Sequence, residues 1–134
     1  MSRLLVAYLG AGLTMLVLDA IWLTTMIPFY RQNIGHLMAA NMNFAAAAVF
    51  YFLYVAGIVY FAVLPASNGG GWLQAAKYGA LLGLFCYGTY DLTNHATLAN
   101  WPAAVTITDM AWGTFLTAVA AAAGCAAVMF FATL

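Results

Sequence analysis

The chain has 134 residues, 67% of them hydrophobic and only 4% charged. Soluble domains carry roughly a quarter charged residues, and no water-soluble fold of this length can hide so much apolar surface. With a net charge of zero and neither a basic run nor an acidic tail, the sequence offers nothing for nucleic acid to bind, and it reads as an integral membrane protein.

A bilayer core takes about 20 apolar residues per helix. Four stretches meet that requirement, at about 4–27, 43–64, 73–98 and 104–132. They predict an all-α protein, an antiparallel four-transmembrane-helix bundle forming one transmembrane domain over 1–134. The spans are continuously apolar rather than alternating, so β-barrel patterning is absent.

In chain order, Arg3 followed by "LLVAYLGAGLTMLVL" has the look of a signal peptide. The apolar run continues past Asp19 to Ile27, however, and no small-x-small cleavage site follows it. It therefore reads as a retained first helix that stops at Pro28. The segment 28–42, "PFYRQNIGHLMAAN" and onward, is partly amphipathic and is expected to lie at the interface. Asn41 or Asn43 can cap the second helix, which is expected to stop at Pro65. Residues 66–71, "ASNGGG", form a flexible loop. Gly79 and Gly83 give the third helix a small-xxx-small pair suited to packing. Trp72 and Trp101 read as interface anchors. The alanine-rich run 118–128 lets the fourth helix pack closely, in the bundle or at a dimer seam. Cys86 and Cys125 read as small buried hydrophobes. Arg3 and Lys77 fall on one side of the membrane and Arg31 on the other. The positive-inside rule then places both termini in the cytoplasm.

Depth follows from helix rise. Asp19 lies about 22 Å along the first span, Asp91 about 27 Å along the third, and Asp109 about 8 Å into the returning fourth. The only three acidic residues of the chain thus share one slab near the outer end, on three different helices. Polar companions gather at the same level. Tyr87, Asp91, Asn94, His95 and Leu98 trace one stripe of the third helix, with Thr89, Thr93 and Thr97 beside it. Asp19 and Asp109 are each followed three residues later by a tryptophan, Trp22 and Trp112. An indole N–H can donate to a carboxylate, and its ring can wall a pocket.

An intramembrane aspartate costs at least about 2.5–3.5 kcal/mol on insertion scales, so three of them are expected to face the bundle interior or a watery cleft. One reading is a polar network that only closes the outer end. The reading favoured here is a site that binds, and is equipped to modify, an amphipathic or lipid-like small molecule. In it, Asp91 and His95 are the proton-handling, catalytic pair. Asp19, Asp109 and Asn94 orient the polar end, while Trp22, Trp112 and Tyr90 wall the apolar end. An Asp/His set is also able to take a divalent metal, although no His-x-x-x-His or Glu-x-x-His spacing is present. Two alternatives are a proton-coupled small-molecule transporter, which with four short helices requires a homodimer, and a non-catalytic assembly subunit. In every case membrane lipids are the surrounding partner.

The segments "LDAIWL", "YGTYDLTNHATLANWP" and "VTITDMAWG", with "FY" and "IG" between them, resemble a family of small bacterial four-helix inner-membrane proteins of unknown function. The most specific part of the resemblance is carried by Tyr90, Asp91, Leu92, Thr93, Asn94, Ala96, Thr97, Leu98, Trp101 and Pro102. The resemblance implies a multi-pass protein of the bacterial inner membrane and supplies no reaction.

Overall fold

The computed structural model describes residues 2–131. Four long helices form an antiparallel bundle: α1 (Arg3–Ile34), α2 (Phe44–Ala66), α3 (Gly71–Thr97) and α4 (Ala103–Phe131). No strand occurs among the described residues. Helices α1, α2 and α4 are long and apolar enough to cross a membrane. Helix α3 has the length, but the polar residues of "YGTYDLTNHAT" lower its hydropathy. The expected end of the last helix at residue 132 lies outside the described residues.

Both expected proline stops are overrun. Pro28 lies inside α1, which continues to Ile34 and a 3-10 turn at Gly35–Leu37. Pro28 removes only the bond that would reach the Thr24 carbonyl, and the turns on either side hold the helix together. At about 48 Å, α1 outreaches the ~30 Å hydrocarbon layer, so much of the predicted interfacial segment is its continuation. Pro65 is likewise inside α2. The turn before it widens into a π-helix at Val59–Val63, with the Leu64 N–H donating to the Val59 carbonyl five residues back. A wide turn makes room for the proline ring where a regular one would clash. Asn43 caps α2, as its chemistry allows, by accepting from the Ala46 N–H at 3.1 Å.

Helix α4 is the hub. It lies against α3 along its length and against α1 along most of it. Small residues make both seams. On α3, Ala75, Gly79, Gly83, Tyr87 and Asp91 repeat every four residues and face α4. A Cβ on Gly83 would fall 2.2 Å from the Gly113 carbonyl oxygen, and one on Gly79 would fall 2.5 Å from the Thr117 carbonyl oxygen. On the other side, a Cβ on Gly10 would lie 3.2 Å from the Gly124 Cα. With lipid outside, close backbone approach and van der Waals contact drive such packing. The core is therefore alanine-rich, filled by Met15, Ile58, Val63, Val105 and Leu116.

The two ends differ. At the end holding the N-terminus, the Arg3 guanidinium donates to Ser67 Oγ at 2.7 Å and to Asn68 Oδ1 at 3.3 Å, which ties α1 to the α2–α3 turn. At the opposite end, residues 44–50 of α2 bury nothing and stand away from the bundle. Gaps open there on both sides of α2.

Candidate functional site

The polar residues collect where α2 parts from the other helices. Asp91 lies six residues before the end of α3 at Thr97, and Asp109 six residues after the start of α4 at Ala103. Both are therefore about 9 Å below the α3–α4 turn. That turn is tight. Asn100 takes φ 59°, a left-handed conformation that asparagine tolerates. Trp101, expected at the interface, is instead 7% exposed, and its indole donates to Thr106 Oγ1 at 3.0 Å.

Asp19 sits on the buried stripe of α1 that begins with Ala7, Ala11 and Met15 and continues through Trp22, Met26 and Tyr30. The residue is 8% exposed, and its carboxylate receives two donors from two other helices. The Tyr51 hydroxyl of α2 donates to one oxygen, and the Trp112 indole of α4 donates to the other at 3.2 Å. Asp109 accepts from the Tyr30 hydroxyl, which in turn receives the Trp22 indole N–H at 3.2 Å. The two tryptophans thus cross over. Trp112, three residues after Asp109, serves Asp19, while Trp22, three residues after Asp19, serves Asp109 through Tyr30. The cross-over closes on a parallel indole stack, with Trp22 and Trp112 centroids 4.3 Å apart and rings inclined by 4°.

Asp91 has neither kind of support. It is fully buried, and neither of its oxygens receives a hydrogen bond among the described residues. The group it meets is the Asp109 carboxyl across the α3–α4 seam. The expected Asp91–His95 pair is not formed. The two residues share a helix side, but Asp91 turns into the seam, whereas the exposed His95 places Nδ1 3.3 Å from Thr106 Oγ1. Thr106 already receives the Trp101 indole, so its hydroxyl proton is free to go to His95. His95 thus belongs to the structure of the turn.

A cavity of about 500 Å³ lies against this cluster. Asp19, Tyr30 and Asp109 give it polar groups, Trp22, Tyr87, Tyr90 and Trp112 give it aromatic walls, and Leu23, Ile27, Ile34 and Met38 give it an aliphatic flank. Arg31 lies on its edge. A second space of about 290 Å³, between α2 and α3, reaches Asp109 from the other side, past Phe50, Tyr54 and Tyr87. Of the residues singled out from sequence, Asp19, Asp109, Trp22, Trp112 and Tyr90 share the larger cavity. Asp91 lies behind Asp109. Asn94 and His95 do not line it. The threonine row is self-contained, since Thr89, Thr93 and Thr97 each return their hydroxyl proton to a carbonyl of their own helix. That suits a surface facing lipid. Both cysteines are free, and no group of three or more metal-ligating side chains gathers among the described residues.

Two partners were missed, Tyr30 and Tyr51. The expected stop at Pro28 hides Tyr30, although it lies about three turns after Asp19 on the same side of α1. Nothing in the sequence marks Tyr51, because α2 is apolar on every side and its pattern does not pick out the inward face.

No curated protein and no solved structure matches the chain. A family model described as "Predicted membrane protein (DUF2177)" matches residues 4–126, nearly the full length of the bundle, including every member of the carboxylate cluster. The chain belongs to this family of predicted membrane proteins.

Proposed function

We propose that the carboxylate-bearing end of the bundle binds an amphipathic or lipid-like small molecule. The observation that carries this reading is the mixed lining of the 500 Å³ cavity, with hydrogen-bonded carboxylates in its wall and aliphatic and aromatic side chains beside them. Ligand sites have this volume and this apolar-plus-convergent-polar chemistry. The unpacked first turns of α2 leave side openings through which a molecule dissolved in the bilayer reaches the cluster without crossing water. Binding is the part of the reading that the geometry supports, since His95 sits away from Asp91 and the acid–base pair on which modification would depend is absent. Composition and resemblance support a site of action in the bacterial inner membrane. Arg3, bonded to the α2–α3 turn, supports an orientation with both termini on the cytoplasmic side.

The test is to fill the cavity. Leu23→Trp adds an indole to its aliphatic flank at a position already partly exposed. Wild-type protein extracted in a mild detergent and examined by native mass spectrometry is expected to carry a small-molecule adduct that the filled variant lacks. Identical spectra from two equally folded proteins would remove the reading.

A further inference from the structure

Among the three carboxylates, Asp19 has two donors, Asp109 has one and Asp91 has none. Asp91 is also the most deeply placed, with no exposed surface. An ionised carboxylate accepts hydrogen bonds but cannot donate one. Two ionised carboxylates facing each other in a dry seam are therefore mutually repulsive and unsatisfied. A single proton between them converts the contact into a charge-assisted hydrogen bond. The other titratable groups near Asp91 cannot take that part. Tyr30 of α1 is committed to Asp109, and Tyr87 and Tyr90 on the same helix as Asp91 are phenols, far weaker acids than a carboxyl. His95 is engaged with Thr106, and the two tyrosines that α2 brings to this end are engaged too, Tyr51 with Asp19 and Tyr54 with Thr117.

The cavity on the other side of Asp109 has a matching charge. With one proton on the Asp91–Asp109 pair, the cluster carries two negative charges, one on the pair and one on Asp19, against the single guanidinium of Arg31. The walls are ring faces, Trp22, Trp112, Tyr87 and Tyr90. Carboxylates combined with aromatic faces recognise ammonium groups.

We propose that Asp91 and Asp109 hold one proton between them and release it when an ammonium-bearing amphiphile enters the adjoining cavity. The inference rests on the amphiphile-binding reading above and adds the charge of the ligand and its exchange with a proton. The charges balance. The O–H bond of the pair breaks, the proton leaves to water, and the carboxylate charge it uncovers is offset by the incoming ammonium. The buried cluster keeps the same net charge throughout, which avoids the cost of changing charge in a low-dielectric interior.

The experiment uses the full chain in phosphatidylcholine nanodiscs, titrated with dodecyltrimethylammonium below its micellar concentration and corrected with empty nanodiscs. Calorimetry in two buffers of different ionisation enthalpy reads binding and proton release together. The wild type is expected to release about one proton per probe bound. In Asp91→Asn the amide donates to Asp109 permanently, so the heat of whatever binding remains is expected to be independent of buffer. Infrared spectra without probe give a second, folding-independent reading: a protonated-carboxyl stretch is expected in the wild type. Binding without proton release, or a wild type lacking that stretch, overturns the exchange and leaves the amphiphile site standing. Release that persists in Asp91→Asn overturns the assignment to this pair. Preferential binding of dodecyl sulfate overturns the ligand's charge. Failure of both probes to bind above empty nanodiscs overturns the cavity reading together with the inference.

Discussion

Three tyrosines on α2 form a graded test of the cluster. The Tyr51 hydroxyl donates to the Asp19 carboxylate, a nearly buried charged acceptor. Tyr54, three residues on, is buried and shares a hydrogen bond of 2.7 Å with the neutral Thr117 hydroxyl. Tyr60 is 68% exposed and faces outward. Removing each hydroxyl as Tyr→Phe leaves the ring, so packing is held nearly constant along one helix. A hydrogen bond to a charged group is worth about 1.5–3 kcal/mol and a neutral one about 0.5–1.5 kcal/mol. Tyr51→Phe is therefore expected to lower the folded-to-unfolded ratio roughly 10- to 100-fold, at about 1.4 kcal/mol per decade. Tyr54→Phe should cost less, and Tyr60→Phe should stay within about 0.5 kcal/mol of wild type. Reversible unfolding in mixed micelles, titrated with dodecyl sulfate and followed by circular dichroism, gives all three values on one scale. A Tyr51→Phe loss no greater than that of Tyr60→Phe would refute the account in which Asp19 is held as an anion by donors from two other helices.

Two other predictions concern the backbone. A Cβ at Gly83 would meet the Gly113 carbonyl oxygen at 2.2 Å, whereas one at Gly57 meets nothing within 4 Å. Gly83→Ala is expected to cost about 1–3 kcal/mol by forcing α3 and α4 apart, with Gly57→Ala neutral or stabilising, in the same unfolding assay. Pro28→Ala restores a donor to the Thr24 carbonyl inside a helix that is already continuous. It is expected to raise the thermal midpoint in detergent, and a lowered midpoint would show that the proline sets a bend on which the Tyr30–Asp109 contact depends.

The membrane class, the four helices and the meeting of Asp19, Asp91 and Asp109 were all readable from the chain. Composition fixes the solvent, and a constant rise per residue turns position into depth regardless of what surrounds the helix. Rotation about each axis was not readable. A helix apolar on all sides has no moment to aim it, and this hid Tyr51 on α2. It also hid the cross-over of Trp22 and Trp112, because two residues on one helix face need not touch each other when a neighbouring helix offers a better acceptor. His95 shows the same limit. Its spacing from Asp91 is that of a pair, yet the turn at Asn100 brings Thr106 within its reach and Asp109 within reach of Asp91. The overrun prolines had a different cause. Proline is costly inside a helix but tolerated where neighbouring helices, wide turns and side chains compensate, as membrane bundles allow.

The wide turn at Val59–Val63 sets the phase of everything before it. One surplus residue in a turn rotates the preceding helix by about 100° relative to a regular continuation. Below the turn, Val63 and Ala66 are locked into the core; above it, Tyr51 and Tyr54 are aimed at Asp19 and Thr117. Deleting a single residue between 59 and 63 would leave α2 apolar and still long enough to cross the bilayer, yet would swing both hydroxyls out toward the acyl chains. The hydrogen bonding of the Asp19 carboxylate is thus governed by the residue count of a segment that never touches it.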